Sequence, residues 1–145
     1  MADRAVSVTV SYVITLAITA VLISGLILAA GSLVDGMKGQ TSRDGYEVVG
    51  NRMVSGLQTA DRMAQTGGST VEVSVDLPGL VAGTQYNIVV NNSSNPPTVR
   101  IQSSDARADV VLPVANETAL RSGEVPGGPV QVVLEDGKLE VRSNR

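Results

Sequence analysis

The sequence predicts an α+β protein. A long N-terminal transmembrane helix continues into an amphipathic helical stalk, and a small Val-rich antiparallel β domain follows. Three observations carry this: an uncharged run over residues 5–34, apolar residues at three- and four-residue steps over 46–65, and short alternating runs between Gly, Asn and Pro turns from residue 70 onward.

The uncharged run exceeds the roughly 20 residues a helix needs to cross a bilayer. A secretory signal has an apolar region of only about 7–15 residues before its small-residue cleavage site. Ala29-Ala30-Gly31 imitates such a site but lies beyond more than about 20 apolar or small residues, so the segment is expected to stay in the membrane. Arg4 and the amino terminus favour a cytoplasmic N-terminus, with the remainder of the chain outside; Asp3 dilutes that signal.

Ser7, Ser11, Thr15 and Thr19 recur at every fourth position and form a drifting stripe on one face of this helix. Ala17, Ala20, Ser24 and Gly25 keep the surface small farther along. Two readings stand side by side: hydroxyls tolerated in a membrane helix because they bond to its own carbonyls, or a face for helix–helix association.

Residues 35–45 are polar and rich in glycine. Val49, Met53, Leu57, Ala60 and Ala64 then form an apolar stripe, while Arg52, Asp61 and Arg62 are placed mainly on other faces. Ser42 or Asp44 is a candidate cap, and Gly67-Gly68 ends the pattern. The stalk is therefore either continuous with the membrane helix or broken near 36–45.

In the β region, Val71, Val73, Val75 and Leu77 alternate with Glu72, Ser74 and Asp76. Shorter strands are expected over 86–90, 98–102 and 109–114. Asp136-Gly137 is a favoured two-residue hairpin turn. It should pair Leu134 with Leu139, Val132 with Val141 and Glu135 with Lys138. A single sheet covered by the 46–65 stripe is expected, with a small sandwich on a free stalk as the alternative.

Composition removes several function classes. Among 145 residues there is no Cys and no His, so thiol nucleophiles, disulfides and the commonest general base and metal ligand are missing. No G-x-S-x-G, S-x-x-K or P-loop pattern occurs, and no catalytic, metal or cofactor residue is expected. Net charge is −3, without the basic face of a nucleic-acid binder. Asp105 and Asp109, with Arg107 between them, offer too few oxygen ligands for a calcium loop and read as a solvated strand edge. Asn91 and Asn92 begin overlapping N-glycosylation sequons, and Asn116 begins a third, all in expected loops.

Asp3-Arg4-Ala5-Val6-Ser7, directly before the apolar run, resembles the start of haloarchaeal type IV pilin precursors, and residues 17–31 are similar in texture to their N-terminal helix. Ser7-Val8-Thr9-Val10 stands where adhesion pilins of that group read Ser-Pro-Val-Ile-Gly, and Val10 where bacterial pilins have Glu. The chain looks closer to small pilin-like proteins of the group than to its adhesion pilins. The resemblance implies a class III signal in which prepilin peptidase cuts between Ala5 and Val6, with Arg4 ending the recognised leader. The implied organisation is leader 1–5, transmembrane helix 6–34, polar hinge and amphipathic helix 35–67, and extracellular β domain 68–145. The implied partners are membrane lipid, the peptidase and other pilin-like subunits meeting through the N-terminal helix, at the cell membrane or in a surface filament. A single-pass envelope protein that does not polymerise is the alternative, and an enzyme a distant third.

Overall fold

A computed structural model of the chain describes residues 2–67, 70–103 and 109–144, with side chains from Val8 onward. The elements are α1 (Ala2–Gln65), β1 (Glu72–Val75), β2 (Tyr86–Asn91), β3 (Thr98–Ser103), β4 (Val110–Pro113), β5 (Gly123–Pro126), β6 (Val130–Glu135) and β7 (Lys138–Ser143). The fold is α+β, with one long apolar helix at the N-terminus followed by antiparallel sheets. Two compact units result, Met1–Lys38 and Gly39–Arg145.

Helical structure continues through 36–45, so no cap forms at Ser42 or Asp44. A glycine inside a helix costs about 1 kcal/mol relative to alanine. Propagating an existing helix is nonetheless far easier than nucleating a second one, and Gly36 and Gly39 do not interrupt it. The helix ends at Gln65, where Gly67 takes φ +87° and its N–H reaches Ala64 O at 3.3 Å. Gly68 lies outside the described residues.

The strands form two sheets, of order β1-β6-β7 and β4-β3-β2-β5, which corrects the expectation of one. The missing piece is β5, a Gly-Glu-Val-Pro segment too short and too punctuated to read as a strand. It occupies the second edge of β2, pairing Ile88 with Val125. The β6–β7 hairpin instead takes β1 as its neighbour, with Val73 opposite Val132. Within the hairpin the expected register holds, Leu134 opposite Leu139 and Glu135 opposite Lys138. Asp136 and Gly137 turn at φ 51° and 71°, the double positive φ of a type I′ turn.

One apolar cluster joins the helix to both sheets. Tyr46, Val49, Met53, Leu57 and Ala60 are buried along α1, so the stalk is not free. They meet Ile88, Val90, Val99 and Ile101 of one sheet and Val130, Val132 and Leu139 of the other. Gly50 and Gly56 let the backbone come close. A Cβ on Gly50 would collide with Leu112, and one on Gly56 with Val75. Tyr46 packs edge-on against Tyr86 at 5.8 Å between centroids, and its hydroxyl lies 3.0 Å from Ser103 Oγ.

Leu57→Ala should lower the stability of the β domain by about 2–5 kcal/mol through a buried cavity. Val48→Ala, on the exposed side of the same helix, should change it by less than about 0.5 kcal/mol. Thermal unfolding of the detergent-solubilised chain, followed by far-ultraviolet circular dichroism, measures both.

Candidate functional site

The side chains of Arg4, Ala5, Val6 and Ser7 lie outside those described, and the backbone there is part of α1. From Val8 to Val34 the large apolar residues are exposed on every face of the helix. A helix apolar all round needs an apolar surrounding, and α1 is long and apolar enough to cross a membrane. Thr15 donates its hydroxyl to Ser11 O and Thr19 to Thr15 O, both at 2.8 Å. Ser24 does the same to Ala20 O at 2.8 Å, and Ser32 to Ala29 O at 2.9 Å. These donors are satisfied within their own helix, as hydroxyls in lipid must be. Ser11 contributes its carbonyl to this ladder.

The three sequons are in different states. Asn91 ends β2 and is exposed, and its Oδ1 accepts the Ser93 N–H at 2.8 Å. Asn92 is exposed as well, its N–H donating to Ser122 Oγ at 3.0 Å. Asn116 is only partly exposed, donating its Nδ2 to Thr118 O at 2.6 Å, and its Oδ1 is buried with no hydrogen-bond partner.

Beside Asn116 lies a residue whose role the sequence concealed. Asp61 was expected on an outward face, yet it is only 5% exposed. Its carboxylate accepts the Thr118 N–H at 2.7 Å, the Glu117 N–H at 3.2 Å and the Gln65 side-chain amide at 2.8 Å. Burial alone would raise its pKa. The bonds from Thr118, Glu117 and Gln65 outweigh that and hold it below the ordinary carboxylate value. The available signal was spacing: Asp61 stands four residues after Leu57, on the apolar stripe itself. A charged residue at a stripe position marks a polar contact the helix must make inside.

Charges on the β6–β7 hairpin form an exposed cluster. Arg121 reaches Glu140 at 2.8 Å, while Arg142 bonds Glu135 and Glu140. The Arg142 hydrogen bond lowers the Glu140 pKa, with slight burial opposing it. Exposed pairs of this kind are worth little individually. An open cleft beside Tyr86 is lined by Gln85, Asn87, Gln102, Ser103 and Glu124, where Asn87 Nδ2 already donates to Glu124 Oε1 at 2.7 Å. Asp109 accepts the Ser103 N–H at 3.0 Å, whereas Asp105 and Arg107 lie outside the described residues. Among the described residues no group of three or more acidic side chains is placed to hold a metal ion. These arrangements brace loops and strands; none pairs a nucleophile with a base.

Asp61→Asn should destabilise the domain by about 1–3 kcal/mol at neutral pH, because two backbone donors lose a charged acceptor. The folded-state pKa of Asp61 lies below its ordinary value of 3.8. Its contribution is therefore complete above that value and disappears as pH falls through the folded-state pKa. Unfolding of the two proteins across a pH series should show a constant difference at neutral and mildly acidic pH that shrinks below about 4.

No curated protein and no solved structure matches the chain. A family model does, over residues 1–144, and its description is a family of unknown function. With the match spanning the helix and the strands alike, the protein belongs to that family, DUF7266.

Proposed function

We propose that the protein is a structural, pilin-like subunit of the cell envelope. It is exported, anchored by the first half of α1 and processed by prepilin peptidase between Ala5 and Val6. It then assembles through that helix into a surface filament or at its base. The observation that carries this reading is the layout of one helix. A charged residue and a small one, Arg4 and Ala5, immediately precede a run apolar on all faces. The same helix then becomes amphipathic and forms the wall of a β domain. A basic residue holds the leader at the cytoplasmic face, and a small residue fits a narrow protease site. The β domain stands outside the cell, where an exposed sequon would meet the glycosylation machinery, and no residue has a catalytic role.

A second reading has its own support. The hydroxyls of Thr15, Thr19, Ser24 and Ser32 bond carbonyls of their own helix. Those hydroxyls are therefore stable in lipid without a neighbouring helix. On this reading the protein is a single-pass envelope protein whose β domain is a spacer or binding module.

N-terminal peptide mass analysis of the membrane fraction, with and without the peptidase, separates the two. A mature start at Val6 that vanishes in the peptidase-deficient strain, together with high-mass assemblies, is the expected outcome. A start at Met1 or Ala2 in both strains overturns processing and leaves the anchor. A start near Ser32 overturns both.

A further inference from the structure

We propose that Asn91, and neither Asn92 nor Asn116, is the glycan acceptor of this chain. The proposal rests on the export reading above and goes beyond it by choosing among sequons that the sequence leaves equal.

N-glycosylation requires an Asn amide nitrogen that is accessible and not already engaged, with the hydroxyl of the residue two positions on free to approach it. Asn116 fails on both of its polar atoms. Its Nδ2 is committed to Thr118 O at 2.6 Å and its Oδ1 is buried. The backbone around it is also fixed, because the N–H groups of Glu117 and Thr118 bind the buried Asp61 carboxylate. Removing Asn116 for reaction would mean dismantling the contact between this loop and α1.

Asn92 is exposed, but the hydroxyl of its sequon belongs to Ser94, which is half-buried and shares a hydrogen bond with Thr98 Oγ1 at 3.3 Å. Asn91 meets each requirement. Its Oδ1 accepts the N–H of Ser93 at 2.8 Å, an Asx turn that folds the side chain back over its own sequon. The bond engages Oδ1 and not Nδ2, and both Asn91 and Ser93 are exposed. An Asn Oδ1 already accepting a hydrogen bond draws electron density from the amide and makes Nδ2 easier to deprotonate.

The donor class is a glycan carried on a polyprenyl phosphate. Asn91 Nδ2 attacks the anomeric carbon, a C–N bond forms and the bond from that carbon to the phosphate oxygen breaks. The polyprenyl phosphate leaves with its electron pair, and one amide proton passes to a base of the transferase. No electron donor or acceptor is needed.

Conservative variants separate the overlapping sequons. Ser93→Ala abolishes only the Asn91 sequon, Ser94→Ala only the Asn92 sequon, and Asn116→Gln only the third. Glycopeptide mass spectrometry of the full chain from the native membrane should show occupancy falling at least tenfold in Ser93→Ala and unchanged in the other two. Glycan that survives Ser93→Ala, resides on Asn116 or is absent from the wild type overturns the proposal. External protease on intact cells then identifies the cause of an unmodified wild type. A domain that is cleaved yet bare refutes the acceptor assignment alone, whereas a protected domain refutes the export reading with it.

Discussion

Everything in the folded domain depends on burial of one helix stripe against two small sheets. A sheet of three strands and one of four each turn apolar residues toward the helix. Residues 46–60 of α1 supply the shared surface that lets both be buried in a single cluster. With no Phe or Trp in the chain, the interior is filled by Val, Leu and Ile around two tyrosines and a methionine. Small side chains fill space only if the backbones approach closely, and Gly50 and Gly56 permit that against Leu112 and Val75.

The same helix is built for two solvents. In its first half, a Cβ on Gly25 or Gly31 would meet open space and the large apolar side chains are exposed. The hydroxyls of Thr15, Thr19 and Ser24 are closed onto its own carbonyls. In its second half the apolar residues retreat to one stripe, and the one carboxylate on that stripe, Asp61, is bonded on arrival by two backbone N–H groups. The change from all-round to one-sided hydrophobicity occurs without a break in helical structure. Local propensity, lowered by Gly36, Gly39, Thr41 and Ser42, therefore does not decide where the helix stops.

Much of this was readable in advance, for identifiable reasons. The alternation at Val71, Val73 and Val75 and the Asp136-Gly137 turn are local signals: the first yields a strand, shorter than the alternation, over Glu72–Val75, and the hairpin register stands as expected. The stripe of Val49, Met53 and Leu57 likewise needed only helical spacing. What escaped was non-local. β5 is a strand through its pairing with the edge of β2, and the strands form two sheets where one was expected. Asp61 looked like a surface charge because its partners are 56 and 57 residues away. The sequons were visible as tripeptides, but whether an amide is free, as at Asn91, or engaged, as at Asn116, is a property of the folded loop.

The tyrosine pair has a spectroscopic consequence. With no tryptophan in the chain, its near-ultraviolet absorption and emission come from Tyr12, Tyr46 and Tyr86. Tyr12 is exposed on the apolar first half of α1, while the other two meet edge to face at 65° in the core. Tyr46 lies on the helix and Tyr86 on β2. Their mutual orientation exists only when helix and sheet have docked, and burial raises the Tyr86 pKa despite a backbone hydrogen bond that opposes it. The native chain thus carries an intrinsic optical reporter of its own helix–sheet closure, and no label has to be introduced to observe it.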